Sequence, residues 1–373
     1  MTEGPTIEAR IPGKLYIAGE YAVVEPGEPA VLVAVDRTLT ARLVEAKGAG
    51  HVRSRVYGGS PLTWVRDRET GRIVHEREQL DYVFSAIDAV EELRAERGVA
   101  PRYFDLEIVS ELDDESGRKF GLGSSGAVTV AVIAVLNEFY GLGLGLEERC
   151  RLALLATIEI SPRASGGDLA ASTFGGWVRY CSPDRGALRA HRAAHGVEAT
   201  LRSGEAWAGF AVTPLAAPAS LELLVGWTGS PASTDRLVAE VGRSAGTAAT
   251  GRQELSFIEQ SRDCVAELVA GIAGDDPSRS LRAVSRARRL LQQLGETSGI
   301  VIETDQLRRL CEAAETHAAA AKPSGAGGGD CGIALVSTGG DFGGILREWE
   351  SNDILRLPLT VAPALASAEG QHD

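Results

Sequence analysis

Lysine is scarce in this chain of 373 residues, although lysine and arginine together number 38. The lysines are Lys14, Lys47, Lys119 and Lys322, and all but Lys47 lie in or beside glycine-rich segments. Acidic residues number 51, which leaves a formal net charge of −13. Because a nucleic-acid surface needs concentrated positive charge, this composition argues against a nucleic-acid partner. Lysine, a compact and mobile charge, is instead kept for a few positions.

Paired cysteine motifs are absent as well. The cysteines are scattered, and no two of them have the C-x-x-C spacing of a zinc or redox site: Cys150, Cys181, Cys264, Cys311 and Cys331. In a chain of this length such cysteines are typical of small buried side chains in a reducing compartment. The sequence therefore predicts neither a zinc site nor a disulfide framework.

Long apolar runs and a secretory leader are also missing. The longest apolar run, residues 127–136, is followed by Asn137 and is too short to span a bilayer. The first ten residues, MTEGPTIEAR, do not combine a basic region with an apolar core. We therefore expect a soluble cytoplasmic protein that has no membrane partner.

Glycine and serine are concentrated in KFGLGSSGAV, residues 119–128, between a strand-like segment at 104–110 and the apolar run at 127–136. Glycine lets the chain turn and lets an anion approach the backbone. A serine that caps the following helix leaves the amides of the first turn facing the loop. This arrangement indicates a phosphate-binding loop, with a plain turn as the alternative. The spacing matches neither the G-x-x-x-x-G-K-[ST] loop nor the dinucleotide fingerprint.

Three further segments carry polar residues in small-residue surroundings. PGKLYIAGEYAVV, residues 12–24, contains Lys14 and Tyr21, and SGGDLAASTFGG, residues 165–176, contains Asp168. Taken alone, Asp168 is more typical of a helix N-cap than of a catalytic group. KPSGAGGGDCGIAL, residues 322–335, has so much glycine beside a strand that its backbone either approaches a ligand closely or makes a tight turn.

The hydrophobic periodicity predicts an α+β protein with two lobes. Predicted strands cover 7–11, 30–35, 38–44, 104–110, 221–227, 331–337 and 354–361. Predicted helices cover 79–97, 127–140, 147–160, 252–273, 278–294, 303–320 and 343–351, and Ser233 and Thr234 are candidate caps for a segment at 231–243. Residues 183–206 are weakly patterned and predict a domain junction or an exposed excursion. We therefore expect an N-terminal lobe at 1–205 and a C-terminal lobe at 206–373.

Together, the four segments resemble the motifs of the GHMP kinase superfamily, in the superfamily's order and over essentially the whole chain. GLGSSGA and SGAGGGDCG are specific motifs. Within the superfamily, KFGLGSSGAVTVA, SGGDLAASTFGGWVRY and VGWTGSPASTDRLV (225–238) are most similar to the phosphomevalonate kinase branch. The resemblance implies an N-terminal lobe of the ribosomal-protein-S5 type, a ferredoxin-like C-terminal lobe and an active site between them.

The resemblance also implies a reaction and a set of site residues. The reaction is transfer of phosphate from ATP, with Mg²⁺, to (R)-5-phosphomevalonate, giving ADP and 5-diphosphomevalonate in isoprenoid biosynthesis. Lys14, Lys119 and Asp168 would be catalytic, and Ser124 or Ser125 would bind the metal. The implied ATP-binding residues are Gly121, Leu122, Gly123, Ser124, Ser125 and Gly126. The implied substrate-binding residues are Tyr21, Arg163, Ser230, Ser233, Thr234, Lys322, Ser324, Gly325, Ala326 and Gly327.

Two alternatives stay open. One is mevalonate kinase or another small-molecule kinase of the same superfamily, although the acid upstream of Asp168 here is Glu159, nine residues before it, instead of eleven as in mevalonate kinases. The other is a non-catalytic binding protein of this fold. An adenine pocket is expected within 51–82, near Trp64. The oligomeric state is not readable from the sequence.

Overall fold

The computed structural model describes residues 5–57, 60–76, 81–114, 116–230, 237–238, 241 and 248–365. A first sheet is built from the amino-terminal half of the chain. Its strands are β1 (Ile7–Ala18), β2 (Pro29–Ala46), β3 (Gly50–Ser54), β4 (Leu62–Arg66), β5 (Ile73–His75), β6 (Tyr103–Ser110), β7 (Trp177–Cys181) and β8 (Ala211–Leu215). Their order is β5-β4-β3-β6-β2-β7-β8, and β1 pairs with β2.

Strand β2 is the centre of this sheet. It is rich in valine, leucine and alanine, and it pairs antiparallel with β1, with β6 through Leu39–Ala46 and with β7 through Pro29–Val33. Residues 29–35 are fully buried, as expected for a strand that is covered on both faces. The sequence pattern predicted two strands here, at 30–35 and 38–44, but the chain runs through both without a break.

Helices cover one face of the first sheet. They are α1 (Tyr82–Glu96), α2 (Ser124–Tyr140), α3 (Leu146–Ile160) and α4 (Gly167–Phe174). Helices α2 and α4 pack directly on β1 and β2, whereas α1 and α3 pack against α2. Because α2 is apolar nearly all round, it can lie between the sheet and the outer helices. This packing brings the glycine-rich start of α2 next to β1.

Where the weak pattern predicts a domain junction or an exposed excursion, at 183–206, residues Arg185–Arg202 form helix α5, whose buried residues are Leu188, Val197, Thr200 and Leu201. The helix is kinked at Gly196, where φ is 84°. The kink shifts the phase of the buried positions, which include Leu188 on one side and Val197 and Leu201 on the other. One continuous helical period therefore does not fit the sequence, which explains why the pattern looked weak.

The second lobe contains a smaller antiparallel sheet and the remaining helices. Its strands are β9 (Leu221–Trp227), β10 (Ala320–Pro323), β11 (Cys331–Ser337) and β12 (Leu355–Leu357), in the order β10-β11-β9-β12. Its helices are α6 (Ala248–Ala273), α7 (Pro277–Ser298), α8 (Asp305–Thr316) and α9 (Phe342–Ser351). Strands 221–227 and 331–337 and the helix expected at 343–351 are confirmed. The helix predicted at 303–320 is shorter in the structure. It covers Asp305–Thr316, and residue 320 is already the first residue of β10.

The two lobes are connected by the segment between β8 and β9, and the carboxy-terminal segment also contacts the first lobe. The first sheet continues through β8 to Leu215, beyond the boundary expected at residue 205, and the second sheet starts at Leu221. The carboxy-terminal segment returns to the first lobe, where Val361 pairs with Val35 and Ala362 N–H donates to Ala34 at 2.9 Å. Within the described residues, no helix has both the length and the apolar character needed to cross a membrane.

Candidate active site

The glycine-rich loop ends where α2 begins. Gly121 and Gly123 have φ values of 82° and 79°, which side-chain-bearing residues seldom adopt. The N-cap of α2 is Gly123, with no side-chain cap, so the expectation that a serine caps the helix is wrong. Ser124 and Ser125 are instead the first helical residues. Helix geometry gives the amides of this first turn no intrahelical partner, and the helix dipole adds positive potential there.

Lys14 joins strand β1 to this loop. Its main-chain N–H donates to the Leu122 carbonyl at 2.9 Å, and its ammonium donates to the Gly121 carbonyl at 3.2 Å. A Cβ atom on Gly123 would lie 2.7 Å from Lys14 Cε, so only glycine lets the lysine pass this close. Lys14 is therefore a buried cation held beside the amides of the loop.

Asp168 lies against the same helix start from the other side. Helix α4 has Gly166 as its N-cap, which places Asp168 in the first turn; the reading of Asp168 as the cap is therefore wrong. A Cβ atom on Gly126 would lie 2.5 Å from Asp168 Oδ2. Burial and the nearby Asp168 charge together raise the pKa of Tyr16, whose hydroxyl contacts Ser165 Oγ at 3.0 Å. The phenol is thus a neutral neighbour of the carboxylate.

A cavity of about 380 Å³ lies between these groups and the second lobe. The predicted site residues among its lining are Lys14, Tyr21, Lys119, Gly121, Leu122, Gly123, Ser124, Ser125, Gly126, Asp168, Gly325 and Ala326. The structure therefore brings together residues from all four segments singled out in the sequence. The lining also includes six polar residues that the sequence analysis did not select: Tyr16, Glu20, Tyr82, Thr157, Ser165 and Asp330.

Tyr16, Glu20, Ser165 and Asp330 lie inside the segments already quoted, so their position in a motif was the signal. Tyr82 and Thr157 lie outside those segments, on α1 and α3. Asp330 ends the glycine run with φ 53°, a glycine-like conformation that aspartate tolerates better than most residues. Its N–H donates to the Ser230 carbonyl at 2.7 Å, and a Cβ atom on Gly121 would lie 2.6 Å from Asp330 Cβ. The second lobe thus places a carboxylate directly beside the glycine-rich loop.

Other predicted site residues lie outside the cavity lining. Lys322 is fully buried and paired with Glu20, so it is not a surface cation that could meet a substrate directly. Ser324 bonds to the backbone of Tyr16, and Gly327 packs against Ile302. Arg163 and Ser230 are exposed. Ser233 and Thr234 lie outside the described residues.

The expectation of an adenine pocket near Trp64 needs correction, whereas the reservation about Glu159 agrees with its position. Trp64 is 1% exposed and stacks on Tyr103 with ring centroids 5.3 Å apart, so it belongs to the core and not to an adenine pocket. Glu159, the acid upstream of Asp168, lies 3.6 Å from Arg192 and is not part of the cavity lining. Within the part of the chain that the structure describes, no three His, Cys, Asp or Glu side chains cluster to hold a metal.

The chain matches two family models, GHMP kinases N terminal domain over residues 81–176 and GHMP kinases C terminal over residues 278–354. It is 45% identical to the phosphomevalonate kinase of Streptomyces sp. strain CL190, over 97% of this chain and 99% of that protein. The chain therefore belongs to the GHMP kinase family.

Within this family, the similarity extends to further proteins that act on related substrates. The structure of Streptococcus pneumoniae phosphomevalonate kinase in complex with phosphomevalonate and AMPPNP matches with a TM-score of 0.81 and 29% identity, over 95% of this chain and 99% of that one. The mevalonate kinase of Thermococcus onnurineus is 28% identical over 88% of each chain. The expected two-lobed GHMP kinase fold is confirmed.

Proposed function

We propose that this chain is a phosphomevalonate kinase, which transfers the terminal phosphoryl group of ATP to the phosphate of (R)-5-phosphomevalonate. The single observation that carries the proposal is the cavity, where the glycine-rich helix start and two lysines face a second-lobe loop. The 45% identity with a phosphomevalonate kinase over nearly the full chain supports this substrate. The products are ADP and 5-diphosphomevalonate, so the reaction is a step of the mevalonate route to isoprenoids.

The nucleotide phosphates belong at the start of α2. The amides of Gly121 to Gly126 and the positive end of the helix dipole favour an anion there. Lys14, held against Gly121 and Gly123, adds a full charge beside them. Phosphoryl transfer requires mainly in-line positioning and neutralisation of charge, and these groups supply both.

The acceptor is a phosphate whose second pKa is about 6, so it is already an anionic nucleophile near neutral pH. It does not need a base, in contrast to the hydroxyl that a mevalonate kinase phosphorylates. We therefore assign Asp168 an electrostatic role, in which it orients cationic groups. Lys119, which is exposed at the cavity, meets the acceptor or the transferring phosphoryl group.

The donor set fits a magnesium ion. The hydroxyls of Ser124 and Ser125 and the carboxylate of Asp168 belong to the same cavity, and oxygen atoms are the ligands that Mg²⁺ prefers. A bound Mg²⁺ would neutralise the nucleotide phosphates. Ser124 or Ser125, together with Asp168, would hold the ion.

The acceptor is bound on the side of the second lobe. Gly325 and Ala326 form its wall, and Tyr21 lies across from them. Arg163, Ser230, Ser233 and Thr234 stay predictions for its recognition, as do Ser324 and Gly327. A cytoplasmic location and the absence of a nucleic-acid partner likewise stay predictions from composition.

A substrate panel tests the proposal. With ATP and Mg²⁺, we expect release of ADP with 5-phosphomevalonate and little release with mevalonate. The mevalonate kinase alternative, favoured by the similarity to archaeal mevalonate kinases, predicts the reverse preference. A non-catalytic binding protein would release no ADP with either compound, and that result would refute the proposal.

A further inference from the structure

Two oppositely charged side chains are buried where the lobes meet. Lys322 on β10 is 0% exposed, and Glu20, in the turn after β1, is 4% exposed. The lysine ammonium donates to Glu20 Oε1 and, at 2.6 Å, to the Pro323 carbonyl. The Gly325 N–H donates to the same glutamate oxygen at 3.4 Å. Because a buried charge is costly unless it is paired, neither residue tolerates loss of the other.

The same two segments share hydrogen bonds on both sides of this ion pair. Ser324 Oγ accepts from the Tyr16 N–H at 2.9 Å and donates to the Tyr16 carbonyl at 3.1 Å. The Tyr21 hydroxyl donates to the Ala326 carbonyl at 2.6 Å. Strand β1 and its turn therefore hold three consecutive residues of the second-lobe loop, 324–326, two of which form the cavity wall.

The backbone of Tyr21 is strained in making this connection. Its φ is 62° and its ψ is −53°, a conformation that is rare for a bulky residue. Such strain persists only where the surrounding structure over-determines it, and it concentrates at functional sites. We call Glu20, Tyr21 and Lys322 the inter-lobe clamp.

The clamp also affects the electrostatics of the site. Glu20 is part of the cavity lining, where an uncompensated carboxylate would repel two anionic substrates. Lys322 is not part of the lining and reaches the cavity only through Glu20. The lysine thus cancels an unfavourable charge while it ties that carboxylate to the second lobe.

We propose that Glu20 and Lys322 are positioning residues for the acceptor side of the active site. They hold the loop 324–326 at the distance from the first lobe that the acceptor phosphate requires. This inference rests on the proposed function. The start of α2, where the nucleotide binds, has no contact with the ion pair among the bonds described above, so the effect is confined to the acceptor.

Comparing a variant that removes one charge of the ion pair with one that removes both separates an effect on the position of the loop 324–326 from an effect on the stability of the fold. Lys322→Met leaves a buried anion, so we expect a lower melting temperature and the largest rise in KM for phosphomevalonate. Glu20→Gln/Lys322→Met leaves no buried charge, so its melting temperature should lie near that of the parent. We expect the double variant still to show a KM for phosphomevalonate raised about tenfold and a lower kcat, with the KM for ATP changed less than twofold.

A control is the buried pair Arg66 and Glu91, which lies within the first lobe at 2.7 Å. Because Glu91 also pairs with the buried Arg94 at 2.9 Å, Arg66→Met/Glu91→Gln leaves that arginine without its carboxylate and should lower the melting temperature. It should leave the KM of the folded enzyme for both substrates unchanged. If Glu20→Gln/Lys322→Met has a kcat and a KM for phosphomevalonate within twofold of the parent, the inference is wrong.

Hydrogen exchange provides a readout that needs no substrate. In Glu20→Gln/Lys322→Met the amides of 325–328 should exchange faster, while those of 121–126 keep the parent rate. If the parent does not phosphorylate phosphomevalonate, the proposed function fails, and the exchange data decide the inference alone. Unchanged protection of 325–328 in the folded double variant would overturn it.

Discussion

Asp168 and Lys14 approach the start of α2 from different elements, and both depend on glycine for their access. Gly123 leaves room for the lysine stem and Gly126 for the carboxylate. The two glycines therefore matter to the site as much as the charged residues, because they leave the space that Lys14 and Asp168 occupy.

Asp168→Asn should lower kcat roughly 100-fold, comparable to removal of one preorganised electrostatic contact in other enzymes. Because the acceptor phosphate is already an anion, the loss should be present throughout the range from about pH 6.5 to pH 8.5. The measurement is kcat as a function of pH. A loss confined to the acid side, with full activity near pH 8, would contradict the positioning role.

Lys119→Ala should cost on the order of 3 kcal/mol of transition-state stabilisation, measured as the change in kcat/KM. The physical reason is that a cation at the cavity neutralises charge shared by two anionic substrates. Lys47, an exposed lysine in the turn after β2, is the matched control. Lys47→Ala should leave kcat/KM unchanged, and near-parental turnover of Lys119→Ala would remove Lys119 from the catalytic set.

At the scale of elements, α2 contributes both to the core and to the cavity. Its long apolar body packs against β1, β2, α1 and α3, and its glycine-rich start faces the cavity. The packing makes the anion-binding end rigid, because the helix cannot move without disturbing the core. Helix α1 packs on the same core but carries a carboxylate, Asp88, that has no role in the site.

Gly126→Ala separates the contribution of α2 to the cavity from its contribution to the core. Alanine favours the helix, but its Cβ would lie 2.5 Å from Asp168 Oδ2 and would displace the carboxylate. We therefore expect kcat to fall at least tenfold and the melting temperature to change little. Gly343→Ala, in the first turn of α9, is the control, since the new Cβ would lie 3.2 Å from the flexible end of Arg347 and at an ordinary contact distance of 3.8 Å from Asp341 Oδ1. Parental kcat in Gly126→Ala would show that this approach is not needed.

We expect Asp88→Asn to increase the free energy of unfolding by an amount that depends on pH. Burial, followed by the charges of Glu92 and Glu91, raises the pKa of Asp88 to about 6. The folded state therefore holds this proton more tightly than the unfolded state, and stability is lost as the pH rises from about 4 to 6. Asparagine avoids this loss, so we expect roughly 1–2 kcal/mol of added stability near pH 7 and almost none near pH 4.

Chemical denaturation at both pH values measures this difference. Because Asp88 lies outside the cavity lining, kcat should stay at the parental value. A stability gain of equal size at both pH values would show that packing, and not ionisation, is responsible.

At the scale of the whole molecule, most of the few lysines of this acidic protein lie at or behind one cavity. The net charge is −13, yet two of its four lysines are part of one cavity and a third is buried behind it. The cavity walls come from both lobes, which are also joined by the clamp and by the returning carboxy-terminal segment. Ligand binding is therefore coupled to the stability of the entire fold.

This coupling predicts a single unfolding transition that substrates shift upward. At 100 times the dissociation constant, AMPPNP should add about 2.7 kcal/mol to the free energy of unfolding. Phosphomevalonate should add a further increment, because the proposed acceptor site includes the second lobe as well. Scanning calorimetry with each ligand measures both effects. Two separate transitions, of which ligands shift only one, would show that the lobes unfold independently.

Much of the site could be predicted from the sequence because it is built from continuous segments. The four glycine-rich or small-residue segments, with Lys14, Asp168 and the loop 121–126, needed only local spacing to be found. The positions of most helices and strands followed from hydrophobic periodicity, which reflects burial of one face of each element. The kinked helix α5 was missed because Gly196 interrupts its period, and β3 to β5 were missed because these strands are only three to five residues long.

The sequence by itself determined the family motifs, the chemistry of the phosphate loop and the order of the main elements, since these depend on neighbouring residues. Only the tertiary structure decided that Lys322 is a buried partner of Glu20 and that Asp330 lies beside Gly121. Those facts depend on contacts between residues up to about 300 positions apart, such as Glu20 and Lys322. Such contacts form only when two lobes pack, and no local pattern in the chain encodes their geometry.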